Sequence, residues 1–112
     1  MKLMIFVLSN TDLLNFLLED LSNAGIKGAT ILNSTGMGMT LSKLESSFIG
    51  GSLRALFDPG RDENKTILCV LKDEQVPTAK QIIKDVVGDL SKPDTGIFFT
   101  IPIDDVEGLL DS

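Results

Sequence analysis

Two stretches of helical period, each set between short apolar runs of strand character, govern what this chain can fold into. Residues 2–8, KLMIFVL, form a continuous apolar run whose length and branched or aromatic content predict a buried strand. Ser9, Asn10 and Thr11 then offer N-cap oxygens, and Asp12 suits the positive end of a helix. Leu14, Leu17, Leu18 and Leu21 recur at helical spacing, with Gly25 as the stop, so a helix is expected over about 11–24. KGATILN, 27–33, predicts a second strand, and NKTILCVLK, 64–72, a third with both faces apolar. From 74 the period changes again: Val76, Ala79, Ile82, Ile83, Val86 and Val87 make one helical face. Pro77 is tolerated only in a first turn and fixes the start near 75 or 76, while Gly88 closes the helix. TGIFFTIPI, 95–103, is the fourth strand, which Pro102 confines to an edge or an end. Asp104 is expected to cap a short last helix over 105–110.

The order β-α-β-β-α-β, with right-handed crossovers, predicts an α+β sandwich of ferredoxin-like type, helices on one side of a mostly antiparallel sheet. The 112 residues fit one domain, 1–112, and can bury a core without staples. One feature departs from a plain hairpin fold. About 30 residues, STGMGMTLSKLESSFIGGSLRALFDPGRDE, separate the second and third strands as a long loop at about 36–64. This insert carries Gly50-Gly51 and the turn signal Asp58-Pro59-Gly60. It also carries Phe48, Ile49, Leu53, Leu56 and Phe57, which are expected to pack against the body, a neighbouring subunit or a target.

Composition removes whole classes of chemistry. There is no histidine, so His-based acid–base catalysis and Ser-His or Cys-His nucleophile pairs are out, as are the usual zinc and copper ligand sets. No pair of carboxylates or lysines stands out for catalysis, and the chain is expected not to be an enzyme. A net charge of −6 with only two arginines, Arg54 and Arg61, provides no basic stripe for nucleic acid. The apolar runs are too short to span a bilayer, so direct membrane insertion is not expected. The N-terminal run lacks a small-residue cleavage site and is taken as the first strand rather than a signal peptide. The single Cys69 fits a reducing cytoplasm and, mid-strand, a buried core thiol. Carboxylates leave Mg²⁺ open, held directly or through a ligand's phosphates; for the cluster DDVE, 104–107, helix capping is the simpler role.

The chain resembles the P-II family of nitrogen-signalling proteins over most of its length. The residues that carry the resemblance are MKLMIFVLSNTDLLNFLLEDLSNAGIKGATI, then TGMGM, KTILCVLKDE and TGIFFTIPIDDV. The resemblance implies a cytoplasmic homotrimer that binds ATP or ADP between subunits and presses a long loop onto a transporter or metabolic enzyme. Gly36 and Gly38 lie where that family has a Gly-aromatic-Gly turn beside the nucleotide, and Thr30 matches a threonine near the adenine. Asp94–Phe98 falls at the family's Gly-Asp-Gly-Lys phosphate loop, with Gly96 near the place of its lysine and Lys92 the nearest substitute. The family's Arg-Gln after the glycine turn, whose Gln helps hold Mg²⁺ and 2-oxoglutarate, is Met39-Thr40 here. The uridylylated tyrosine has no counterpart, since the chain has no Tyr, and the basic tail is replaced by EGLLDS.

The resulting candidate ligand residues are Thr30, Gly36, Met37, Gly38, Met39, Arg54, Lys92, Thr95 and Gly96. Each has a second role open. The glycines serve equally as strand-exit residues at positive φ or as an anion nest. Met37 and Met39 fit an adenine pocket or the edge of the core. Arg54, and less so Arg61, can take phosphate bidentately or pair with nearby Asp58, Asp62 or Glu63. No cofactor is obligatory; ATP, ADP or AMP is the expected ligand. The competing expectation is a ligand-free interaction module in which the insert is permanent trimer packing.

Overall fold

The computed structural model describes residues 1–48 and 63–109. Strand β1 (Lys2–Leu8) leads through a turn of 3-10 helix (Thr11–Leu13) into helix α1 (Leu14–Asn23). There follow β2 (Thr30–Ser34), helix α2 (Met37–Phe48), β3 (Asn64–Leu71), helix α3 (Val76–Val87) and β4 (Gly96–Pro102). The strands form one sheet in the order β2-β3-β1-β4, every pair antiparallel. This is the ferredoxin-like arrangement, with β2 and β4 at the edges.

Local chemistry sets the helix bounds. The Asn10 carboxamide oxygen accepts from the Asp12 backbone N–H at 3.2 Å and starts the first turn. At the other end of α1, Gly25 N–H donates to the Ser22 carbonyl at 3.0 Å and Ile26 N–H to Leu21 at 2.9 Å. With Gly25 at φ 88° this is a Schellman closure, and Ile26 and Leu21 both end in the core. Helix α3 has Pro77 in its first turn, and Gly88, at φ 98°, caps its last.

Alternation along the strands divides the sheet into two faces. Met4, Phe6, Leu8, Ile67, Cys69 and Leu71 are buried beneath the helices with Leu17, Leu21, Ala79 and Ile83. The opposite face carries Leu3, Ile5, Val7, Leu68 and Val70 at the centre, and exposed Ile97, Phe99, Ile101 and Leu32 towards the edges. No described helix covers that face. An exposed apolar face of this kind is the sort of surface on which proteins associate.

Several expectations change, beginning with the second strand, which starts at Thr30 rather than at 27. The tail forms no helix over 105–109: Gly108 sits at φ 89° and residues 104–109 are exposed, so no buried face repays the cost of nucleating one. The DDVE residues therefore cap nothing. The segment after β2 opens as helix α2, not as loop, and Gly36 does not take the left-handed backbone expected of a strand exit. Met, Leu, Lys and Glu favour helix, and the spacing of Met37, Leu41, Leu44 and Phe48 is helical. Residues 49–62 lie outside the described residues, and with them Arg54, Arg61, the Gly50-Gly51 and Asp58-Pro59-Gly60 signals and the packing of Ile49, Leu53, Leu56 and Phe57.

Candidate functional site

The register of the sheet sorts the candidate residues into two places. Asn33, Lys65, Leu8 and Gly96 lie opposite one another in one row across all four strands. The C-terminal ends of β1 and β2 and the N-terminal ends of β3 and β4 therefore share one end of the sheet. Gly36 leaves β2 here and is packed on the start of β3: a Cβ added to it would lie 3.3 Å from the Asn64 amide nitrogen. Met37, Gly38 and Met39 form the first turn of α2, where N–H groups have no partner within the helix. The Thr40 hydroxyl and backbone N–H both donate to the Gly36 carbonyl, at 3.0 and 3.1 Å. Met37 is largely in solvent and Met39 half-buried, so Met37 does not fill the core edge.

The connection from α3 to β4 arrives at the same end and is closed on itself. The Asp89 carboxylate accepts from the Ser91 hydroxyl at 2.7 Å and the Ser91 N–H at 2.9 Å. Those bonds, the hydroxyl first, hold its carboxyl below the ordinary aspartate range. Lys92 N–H donates to the Asp89 carbonyl at 3.1 Å, and the Thr95 hydroxyl donates to the Lys92 carbonyl at 2.9 Å. Ser9 N–H ties the turn to β1 by donating to the Thr95 carbonyl at 3.3 Å. Asp94 takes φ 59°, a conformation that aspartate tolerates. Gly96 is held differently. At φ 152° its missing Cβ would stand 2.4 Å from the Val7 carbonyl oxygen and 2.8 Å from the Phe6 ring. No side chain fits there, lysine included.

Thr30 stands elsewhere. It begins β2 opposite Leu68, four residues before Ser34, or about 13 Å along the edge strand. Beyond that pair, β3 runs on without a partner from β2, and residues 25–29 splay away from it. Between them opens a cleft of about 530 Å³. Its walls include Lys27, Gly28, Thr30, Val70, Lys72 and Leu109. Cys69 lines its floor as a buried thiol that donates to the Gly28 carbonyl at 2.9 Å, and burial pushes its pKa up.

One chain thus brings Gly36, Met37, Gly38 and Met39 to the sheet end that also carries Lys92, Thr95 and Gly96, and leaves Thr30 with the cleft at the other end. Arg54 lies outside the described residues. Sequence reasoning passed over Lys65, Lys27 and Lys72, because only the register shows which end of the sheet each lysine occupies. Among the described residues no three His, Cys, Asp or Glu side chains cluster to hold a metal ion, and no helix is long and apolar enough to cross a membrane.

Compared with known families, residues 1–110 match the one described as nitrogen regulatory protein P-II. A comparison with curated proteins returned no match.

Proposed function

The chain belongs to the P-II family of small signal-transduction regulators, and from that premise we propose that it is a cytoplasmic, non-enzymatic homotrimer that binds an adenine nucleotide between its subunits. Ligand binding biases the segment that follows β2, and that segment engages a partner protein, a transporter or a metabolic enzyme. A ligand acts in this way only through different affinity for the two states of the segment.

The observation that carries this reading is the split site. Thr30 and its cleft lie at one end of β2, and Gly36 at the other. About 13 Å of edge strand lies between Thr30 and Ser34, and a ring of subunits that sets one chain's end beside its neighbour's brings the two halves together without a fully extended ligand. The uncovered apolar sheet face supplies the surface for that assembly. In such an interface Thr30, Gly28 and Lys27 of one subunit face Gly36–Met39, Lys92 and Thr95 of the next. Mg²⁺ would then be held through the phosphates of the nucleotide, since the described residues present no cluster of three His, Cys, Asp or Glu.

Titration with ATP, ADP, AMP and cyclic AMP by calorimetry, with and without Mg²⁺, tests this reading. Micromolar binding of one of them is expected. Heat from none of them overturns the nucleotide reading and favours a second one, a ligand-free interaction module. That second reading draws on α2, where Met37, Leu41 and Leu44 stand exposed at helical spacing, as anchors for a groove do.

A further inference from the structure

The sheet end that holds Gly36 and Gly96 needs a cation if it is to hold a phosphate chain, and position 96 cannot supply one. Its neighbours there are a backbone carbonyl and a fully buried ring, and neither can give way. Among the described lysines, Lys2 and Lys72 belong to the far end, since Lys2 pairs with Leu71, and Lys27 precedes β2 at that same end, while Lys43 and Lys80 lie on the helices α2 and α3 and not on the sheet. Lys84, in the last turn of α3, acts on Asp89. Lys92 sits on the α3–β4 turn, whose backbone is bound up with Asp89 and Thr95.

Lys65 differs from all of these. It lies in the same cross-strand row as Gly96, with only Leu8 between them, about 10 Å away at ordinary strand spacing. Its neighbour Asn64 is the residue on which Gly36 is packed. Its backbone is fixed in the ladder, so its position does not depend on a turn. Its ammonium donates to the Asn33 carboxamide oxygen. That partner is neutral, and among the described residues no carboxylate pairs with this ammonium, so an arriving anion offers the stronger, charge-assisted bond.

We propose that Lys65 is the residue that grips the phosphate chain at this half-site, with Asn33 holding its ammonium in place until the ligand arrives. The inference rests on the nucleotide reading above and assigns the cation of that same site. It gives Lys65 the work that position 96 cannot do.

Calorimetry on the full chain with AMP, ADP, ATP and pyrophosphate tests it. Wild-type affinity is expected to rise along the nucleotide series as phosphates are added. Lys65→Met should weaken ATP by about tenfold or more, the scale of one lost charge-assisted hydrogen bond, and flatten the series. Lys65→Arg, which keeps the charge, should retain the rise. Lys65→Thr, a good strand residue, replaces the Met variant if thermal melting shows that variant unfolded. Sensitivity of pyrophosphate binding to Lys65→Met supports a contact with phosphate rather than with base. A normal ATP series in Lys65→Met, or one lost in Lys92→Met alone, overturns the inference and leaves the nucleotide reading standing. A wild type silent to all the nucleotides overturns both.

Discussion

Replacing Gly96 with alanine adds one methyl group at the point where β4 meets β1. The new Cβ would lie 2.4 Å from the Val7 carbonyl oxygen and 2.8 Å from two atoms of the Phe6 ring. Neither neighbour can move cheaply: the oxygen belongs to a strand paired on both sides, and Phe6 has no exposed surface. Forced overpacking costs about 1–3 kcal/mol. The φ of 152° adds strain of order 1–3 kcal/mol for any residue with a side chain. Together these destabilise the fold by roughly 2–6 kcal/mol, or roughly 8–25 °C in melting temperature for a domain of this size. Urea melts at matched protein concentration should show the midpoint lowered and the slope unchanged. Gly28→Ala is the control, since its Cβ would meet nothing within 4 Å, and it should stay within about 0.5 kcal/mol of wild type. Gly96→Lys, which puts back the family's lysine, should be no more stable than Gly96→Ala and should not improve nucleotide binding. A Gly96→Ala protein as stable as wild type would refute the close-approach reasoning.

Two further predictions concern titrating groups. Asp89 has its pKa lowered by Ser91, so its contribution to stability is present above the ordinary aspartate range near pH 4 and is lost as pH falls through the folded value. Ser91→Ala should raise the Asp89 carboxyl titration seen by NMR, and the stability gap between wild type and Asp89→Asn should close at acid pH; a gap that persists there contradicts the assignment. Cys69 is buried, raised in pKa and engaged with Gly28, so a thiol reagent at pH 8 should label it slowly in the native protein and rapidly in denaturant. Equal rates would show that the cleft floor is open.

The fold was legible because its signals are local and agree with one another. Leu14 to Leu21 and Val76 to Val87 carry a clean helical period, Pro77 marks a start, and Gly25 and Gly88 mark stops that hold at positive φ. Pro102 confines its strand to an edge or an end, and it is the last residue of β4, which among the described residues pairs only with β1. No helix is read from the sequence at α2, although Met37, Leu41, Leu44 and Phe48 are spaced for one, because Gly36 before it and Gly38 in its first turn suggest a turn. The last helix was expected from Asp104 alone, and a cap without an apolar face does not make a helix. The candidate site was legible as a set of residue types but not as a geometry. Whether Thr30 shares an end with Gly36, whether Lys65 shares a row with Gly96, and whether position 96 has room for a side chain all depend on strand register, which no linear motif encodes.

The central claim is that the nucleotide site is completed only between subunits. Phe99 stands 44 % exposed on the uncovered sheet face of the single chain, so Phe99→Glu should break assembly without unfolding the subunit. The decisive measurement is ATP calorimetry on wild type and Phe99→Glu, with the mass of each in solution determined by light scattering. The expected result is a wild-type trimer that binds ATP and a folded, monomeric variant that has lost at least about a hundredfold in affinity, the scale expected when half of the polar contacts are removed. A folded monomer that binds ATP as tightly as the trimer would contradict it.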